Sequence, residues 1–155
     1  MFRSIVLAAG LLTLPSATLA ADLDVMLDRL ETAVEAAATN LTDFYRERLP
    51  EDVDKIPDFS WGEPMRAANR CILKNIQAVG GDAAVTDYVE ANEDWAKVKI
   101  TSLATIGEDM PPILRSELAA QLGQSCGASA ITMQKIEASG FAAVMRRTDV
   151  AEKLM

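Results

Sequence analysis

Apolar side chains recur every three or four positions along most of this sequence, which is the period of an amphipathic α-helix. The first such pattern predicts a long helix with Asp22 as its N-cap, because a short acidic side chain accepts hydrogen bonds from the free N–H groups of a first turn. Pro50 is expected to end this helix, since proline has no N–H to donate. The apolar positions of the first helix are Leu23, Leu27, Leu30, Val34, Ala37, Leu41 and Phe44.

Two more helices are predicted on either side of Gly80-Gly81. Ser60-Trp-Gly-Glu63 has the spacing of a capping box and predicts a second helix that extends through about Val79. The glycine pair interrupts this pattern, and Asp82 is the predicted N-cap of a third helix that ends before Gly107. The stripe of the third helix comprises Val85, Tyr88, Trp95, Val98, Ser102 and Ile106.

The last third of the sequence predicts two further helices. Pro111-Pro112 suits a helix start, where a missing N–H costs nothing, and the fourth helix is expected to run from there to Gly127. Ser129 is the predicted cap of a fifth helix that reaches about Arg147, and Gly140 is a candidate break within it. The apolar side of the fourth helix contains Leu114, Leu118, Leu122 and Cys126.

No segment of the sequence predicts a β-strand, because no run of four or more residues alternates between apolar and polar. The predicted fold class is therefore all-α, an antiparallel bundle of about five helices joined by short connections. Residues 21–155 are long enough for one hydrophobic core and are expected to form a single helical domain. A short final turn at residues 148–155 is expected to fray.

Residues 1–20 have the pattern of a cleavable signal peptide. Arg3 supplies a positive charge, an apolar run covers Ile5 to Leu14, and the small residues Thr18 and Ala20 suit a signal peptidase. The alternative is an uncleaved membrane anchor, but a spanning helix needs about 20 mostly apolar residues and this run is shorter. We therefore expect a mature chain beginning at Ala21 that is periplasmic or secreted and is not held in the membrane.

Cys71 and Cys126 are the only two cysteines. In an exported chain an even number of thiols favours a disulfide. Both cysteines lie on or beside the apolar stripes of the second and fourth helices, so a bridge between packed helices is geometrically easy. A redox-active pair is the alternative, but the Cys-x-x-Cys spacing typical of such pairs is absent.

The composition excludes several classes of function. The chain has 23 acidic and 15 basic side chains, and this surplus of negative charge disfavours nucleic acids and anionic membranes as partners. It has no histidine, so neither Ser-His or Cys-His activation of a nucleophile nor a histidine-ligated metal site is available. We predict no cofactor and no metal.

Carboxylates are the remaining route to catalysis. Asp87, Glu90 and Asp94 share one helix face, so the alternative function is a carboxylate-dependent enzyme that uses Glu90 and Asp94 as acid and base. Such a site requires a pocket and a raised pKa on one member, whereas the simpler interpretation is a solvated acidic face. A second acidic segment, residues 51–58, fails as a calcium loop because Ile56 and Pro57 replace a ligand and a glycine.

Three large apolar residues stand in the otherwise acidic connection before the second helix: Ile56, Phe59 and Trp61. If exposed, they form a candidate partner-binding cluster; if buried, Phe59 is a hydrophobic staple and Trp61 covers the end of the core. The function predicted from the sequence is a non-enzymatic binding or accessory protein of the bacterial periplasm. Its partner, either a protein or a small ligand, is not identified by any motif, and neither is its oligomeric state.

Overall fold

The computed structural model describes residues 22–155, so the predicted signal peptide lies outside the described residues. Within this range the chain forms α-helices, one 3₁₀ helix and no strand, which confirms the predicted all-α class. None of these helices is both long and apolar enough to cross a membrane. The elements are α1 (Leu23–Arg48), the 3₁₀ helix (Pro50–Lys55), α2 (Glu63–Trp95), α3 (Ile106–Asp109), α4 (Glu117–Ser125), α5 (Ala128–Ala138), α6 (Phe141–Val144) and α7 (Thr148–Leu154).

The α1 helix agrees closely with its predicted pattern. The side chain of Asp22 accepts a hydrogen bond from the backbone N–H of Asp24 at 3.0 Å and so caps the first turn. The helix ends at Arg48, shortly before Pro50. Leu27 and Leu30, two of its stripe residues, are fully buried.

The predicted interruption at the glycine pair is present within α2. Gly81 has φ 72° and ψ −169°, a backbone conformation that is essentially restricted to glycine. Arg70 and Glu93 pair with Asp24 and Arg29, which lie close together on α1, whereas a straight helix would place residues 70 and 93 about 35 Å apart. The chain therefore reverses direction at this glycine, and both halves of α2 contact α1.

Two of the predicted N-caps are wrong because their side chains have other partners. The α2 helix begins at Glu63 without a side-chain cap, and Ser60 instead donates its hydroxyl and its backbone N–H to the carboxylate of Asp58, at 2.9 and 2.8 Å. Ser60 thus closes a turn before the helix. Asp82 accepts a hydrogen bond from the side chain of Gln77 at 2.7 Å, across the turn between the two halves of α2.

The third predicted helix ends earlier than expected, at Trp95 instead of near Ile106. Asn40 on α1 donates its amide to the carbonyl oxygens of Ala96 at 2.8 Å and Val98 at 3.3 Å. These carbonyls are thereby satisfied by another helix, so the chain continues without helical structure to residue 105.

The fourth helix begins later than predicted. The chain forms turns from Pro111 to Ser116, and α4 starts only at Glu117. The hydroxyl of Ser116 accepts a hydrogen bond from the N–H of Ala119 at 3.1 Å, which makes Ser116 the true N-cap. The start of α4 is therefore set by Ser116, which accepts a hydrogen bond from the first turn, and not by Pro111-Pro112.

Two glycines divide the last part of the chain. Gly127, with φ 87°, separates α4 from α5 and occupies the N-cap position that was predicted for Ser129. Gly140, with φ 79°, separates α5 from α6, so the candidate break is present. The prediction that the C-terminal turn frays is wrong. This segment forms α7, in which Val150 and Leu154 are buried at 0% and 2% exposure.

The buried side chains form two clusters, which we call the disulfide core and the terminal core. Cys71 on α2 and Cys126 at the end of α4 form the predicted disulfide, with Cα atoms 5.7 Å apart, and Cys126 packs against the disulfide core. The disulfide core contains Leu27, Leu30, Ile72, Leu73, Ile76, Val85, Val89 and Leu122. The terminal core contains Phe44, Tyr45, Leu49, Ile100, Phe141, Val144, Val150 and Leu154.

Candidate ligand pocket

A cavity of about 440 Å³, which we call the central pocket, lies among α1, α2, α4 and α5. Ile72 of the disulfide core and Ile100 of the terminal core both line it, so the pocket lies at the junction of the two cores. The pocket is partly open to solvent, and the space that it leaves between packed helices requires a structural reason.

Small residues provide that reason. Ala37 and Ala38 on α1, Ala119 and Gly123 on α4, and Ala128 at the start of α5 all line the pocket. Their side chains are too short to fill the space between the helices. These small residues therefore leave a cavity between the helices.

Most of the remaining wall is large and apolar. The pocket is lined by both tryptophans of the chain, Trp61 and Trp95, together with Phe59 and Tyr88. Aromatic and aliphatic walls of this kind are typical of small-molecule sites, which commonly have volumes of roughly 300 to 1,000 Å³. The other large apolar lining residues are Val34, Leu41, Met65, Ile72, Ile100, Ile106, Met110 and Leu114.

Two buried amides interrupt the apolar wall. Asn69 and Asn92 are 7% and 8% exposed, and both line the pocket. Each donates its Nδ2 to the carbonyl oxygen four residues earlier, that of Met65 at 3.0 Å and that of Tyr88 at 2.8 Å. Between residues 22 and 155, no donor reaches the Oδ1 atom of either amide. These two oxygens are hydrogen-bond acceptors that the pocket leaves available.

Charge is nearly absent from the pocket wall. Of its lining residues within the described part of the chain, only Lys135 is charged at neutral pH. Burial raises the pKa of Tyr88 above its ordinary value, although the neighbouring Asn92 amide partly opposes this effect. The Tyr88 hydroxyl therefore remains protonated and neutral at physiological pH.

Residues 58–61, which we call the strap, form one wall of the pocket. Phe59 and Trp61 line the central pocket, and Phe59 also lines a second cavity of about 360 Å³ together with Thr39 and Arg46 of α1. The strap thus separates an apolar cavity from a more polar groove.

Two charged side chains fasten the strap to the helices. Lys135 on α5 donates hydrogen bonds to the carbonyl oxygens of Asp58 at 3.0 Å and Ser60 at 2.6 Å. Glu35 on α1 accepts a hydrogen bond from the backbone N–H of Trp61 at 2.9 Å. The position of the strap therefore depends on side chains from two different helices.

The candidate partner-binding cluster is only partly brought together. Phe59 and Trp61 are both half-buried and line the central pocket, where Trp61 also packs against the disulfide core. Ile56 packs against the terminal core instead. The sequence left two interpretations open, an exposed binding cluster and buried residues that cover the core. The structure has features of both, because Phe59 and Trp61 cover a cavity and are still accessible to solvent.

The acidic face of α2 does not contribute to the pocket. Glu90 and Asp94 are exposed, and Asp94 pairs with Lys97 at 2.7 Å. Glu93 forms a two-pronged ion pair with Arg29 at 2.8 and 2.9 Å, and this hydrogen bonding lowers the pKa of Glu93. Neither Glu90 nor Asp94 lines the central pocket, whereas the enzymatic alternative requires these acids to lie in a pocket.

The acidic segment after α1 is occupied by ion pairs. Asp52 is only 2% exposed and bonds to Lys55 at 3.0 Å and Arg147 at 2.6 Å, while Glu51 pairs with Lys153. The bond from Lys55 is the main cause of the lowered pKa of Asp52, and Arg147 adds to it while burial opposes it. Residues 22–155 contain no cluster of three or more side chains suited to hold a metal ion.

The two asparagines escaped the sequence analysis, although a signal was present. Asn69 lies three residues before Ile72 on the first half of α2, and Asn92 lies three residues after Val89 on the second half. Each amide therefore occupies the apolar side of a helix, where a buried polar group needs a partner. A polar residue on an apolar stripe was the available indication of a site.

Comparison of the chain with protein-family models, with curated proteins and with solved structures gave no match. Function therefore has to be argued from the chemistry of the pocket residues.

Proposed function

We propose that this chain is an exported, non-enzymatic binding protein that takes a small, mostly apolar ligand into the central pocket. The observation that carries this proposal is the cavity of about 440 Å³ with aromatic and aliphatic walls and two buried amides. Filling it with an apolar molecule removes that surface from water, which is the main source of affinity at such sites.

Export to the bacterial periplasm is part of the proposal. It is supported by the signal-peptide pattern of residues 1–20 and by the Cys71–Cys126 disulfide, since disulfides persist mainly in oxidising compartments. We also propose that the helices form one antiparallel bundle around the pocket. The contacts of α1 with α2, and of α4 and α5 with α2 and with each other, support this arrangement.

The chemistry of the side chains supports binding over catalysis. Both thiols are in the disulfide, and the sequence has no histidine. Lys135, the charged residue of the pocket wall, is bonded to backbone carbonyls. No observation favours the carboxylate-dependent enzyme, because Glu90 and Asp94 lie at the exposed surface of α2.

The pocket contains its own reporter. Trp61 and Trp95 are the only tryptophans of the chain and both line the cavity, so their fluorescence responds to an occupant. We expect the mature protein, residues 21–155, to bind the apolar dye N-phenyl-1-naphthylamine saturably at one site. Dye emission should rise while tryptophan emission falls through energy transfer.

A matched pair of variants locates the binding. Ala119→Leu adds a larger side chain to the pocket wall and should reduce dye affinity about tenfold or more, because the cavity is then partly filled. Ala120→Leu adds the same side chain at an exposed neighbouring position on α4 and should leave affinity unchanged. Absence of saturable binding, or equal effects of the two variants, would refute the proposed function.

A further inference from the structure

We infer that the central pocket selects an uncharged amphiphile with a polar group that donates a hydrogen bond, such as a phenol or an alcohol. This inference rests on the proposed function and specifies its ligand class. It excludes fatty acids and cationic amphiphiles as preferred ligands.

The first argument is the hydrogen-bonding state of the two amides. Asn69 and Asn92 each use one of their two amide N–H groups for an α2 carbonyl, so the oxygen and one further N–H of each amide remain for a ligand. An apolar occupant would remove these oxygens from water without replacing the hydrogen bonds, which is costly for a buried polar group. A ligand hydroxyl restores a bond to one of them.

The second argument is the absence of a suitable counter-charge. No acidic residue lines the pocket, so a cationic ligand would be buried without a partner. The ammonium group of Lys135 already donates to two strap carbonyls, at 3.0 and 2.6 Å. Two of its three N–H donors are therefore used, and its charge already acts on the nearby carboxylate of Asp58. A ligand carboxylate would have to share this ammonium with the strap.

The third argument is the neutrality of Tyr88, the hydroxyl-bearing aromatic residue of the wall. Because burial raises its pKa, Tyr88 does not become a phenolate that could attract a cation at physiological pH. Together with the amides it makes the polar part of the pocket neutral. Apart from Lys135, which is bonded to the strap, the polar groups of the wall are neutral and favour a neutral ligand.

The size of the pocket sets the size of the ligand. If each non-hydrogen atom occupies about 30 Å³, the share of one water molecule in the liquid, a cavity of about 440 Å³ holds roughly 15 such atoms. A phenol that bears a branched alkyl group fits within this volume. The dye N-phenyl-1-naphthylamine, with 17 non-hydrogen atoms, is slightly larger and fits because the pocket is partly open to solvent, whereas a whole phospholipid is far too large.

A series of ligands that differ only in the polar group tests the inference. We would measure displacement of N-phenyl-1-naphthylamine from the mature protein by 4-tert-butylphenol, 4-tert-butylanisole, 4-tert-butylbenzoate and 4-tert-butylbenzylammonium at pH 7. The phenol should bind about tenfold or more tightly than each of the others. The anisole lacks the donor, the ammonium compound has no acidic lining residue to pair with, and the benzoate has to share Lys135 with the strap.

Three asparagine variants assign the preference to the pocket. Asn69→Leu and Asn92→Leu should reduce the ratio of phenol to anisole affinity towards one, without weakening the anisole. Asn75 makes the same amide bond, to the carbonyl of Cys71 at 2.9 Å, but it is exposed and outside the pocket. Asn75→Leu should therefore keep the wild-type ratio. Circular dichroism verifies folding, and alanine variants replace any leucine variant that does not fold.

The possible outcomes separate the two proposals. If the dye binds but the four compounds compete equally, or if the benzoate or the ammonium compound binds best, the inferred ligand class is wrong and the proposed function stands. The inference is also wrong if the ratio of phenol to anisole affinity is the same in Asn69→Leu and Asn92→Leu as in the wild type. If neither the dye nor any of the four compounds binds, the proposed function itself fails.

Discussion

At the scale of single residues, the second half of α2 changes from a packed core to a pocket wall at one polar side chain, Asn92. Val85 and Val89 are fully buried in the disulfide core, and Asn92 follows on the same side of the helix. Beyond the valines the neighbouring helices contribute alanine and glycine, so the amide faces a cavity. The apolar side of this helix therefore stabilises the fold through Val85 and Val89, and it forms part of the pocket wall through Asn92.

Trp61→Ala tests the two interpretations of the strap aromatics. Removing the indole should weaken dye binding by roughly 1 to 2 kcal/mol, because a half-buried aromatic wall is lost from the pocket. Trp61→Phe should retain most of the affinity. We would measure dye titrations and melting curves together. A lower melting temperature with unchanged dye affinity would show that Trp61 only covers the end of the core.

Asp52 predicts a pH dependence of stability. Its pKa in the folded protein lies below the ordinary aspartate value of 3.8 because of Lys55 and Arg147, so the unfolded chain binds a proton more readily. The stability from this group is fully present above about pH 5 and is lost as the pH falls below about 4. Asp52→Asn should lower the free energy of unfolding at pH 7 and make it decline less between pH 5 and pH 3.

Urea denaturation at pH 7, 5, 4 and 3 measures this effect. Asp54→Asn, at an exposed position of the same 3₁₀ helix, is the matched control and should follow the wild-type pH profile more closely. Parallel profiles for the wild type and Asp52→Asn would show that the buried ion pairs of Asp52 do not set the acid sensitivity.

At the scale of secondary-structure elements, the sequence predicted most reliably what depends on local backbone chemistry. The breaks at Gly81 and Gly140 were predicted because each requires a conformation that glycine adopts easily. The cap at Ser60 was wrong because its hydroxyl bonds a nearby carboxylate, and the end of α2 was missed because Asn40 reaches it from another helix. A neighbouring side chain decided the first of these boundaries, and a partner distant in sequence decided the second.

Less of the candidate site than of the helices could be predicted from the sequence, because the site depends on contacts between distant parts of the chain. Phe59 and Trp61 were recognised because they are apolar residues in a polar connection. The pocket itself results from side chains that are too small to meet, on helices that come together only in the folded chain. An unfilled volume leaves no motif in the sequence, whereas the disulfide could be predicted from two cysteines beside helical stripes and from the signal-peptide pattern.

Gly81→Ala tests the turn within α2. A Cβ atom at this position meets no heavy atom within 4 Å, so the cost of the substitution is confined to the backbone conformation at φ 72°. We expect a loss of about 1 to 3 kcal/mol in the free energy of unfolding. Gly107→Ala in α3 also has open space but no positive φ, and it should be neutral. Equal stability of the two variants would contradict the strained turn.

At the scale of the whole molecule, the Cys71–Cys126 disulfide joins segments separated by 55 residues. The closed loop contains the turn at Gly81, the irregular segment after α2 and the whole of α4. In the loop-entropy model, closing a loop of this length stabilises the fold by about 4 kcal/mol. The disulfide therefore contributes a large part of the net stability that is typical of a small protein.

Replacing both cysteines by alanine should lower the melting temperature by roughly 10 to 20 °C, with little change in helix content at low temperature. Circular dichroism of the variant and of the oxidised wild type gives both quantities. The double variant avoids leaving a free thiol, and the reduced wild type is its independent check. Unchanged melting temperatures in both would show that helix packing alone maintains the fold.

The fastening of the strap by Lys135 and Glu35 has a dynamic consequence. The hydrogen bonds of the strap come from side chains on the surface of two helices and not from a helical backbone ladder. Local openings with few buried contacts require less free energy than global unfolding. The amide proton of Trp61 should then exchange with solvent deuterium much faster than those of Leu73 or Val89, and an occupant of the pocket should slow that exchange. The protein would in this way admit a ligand through transient release of a few residues while both cores remain folded.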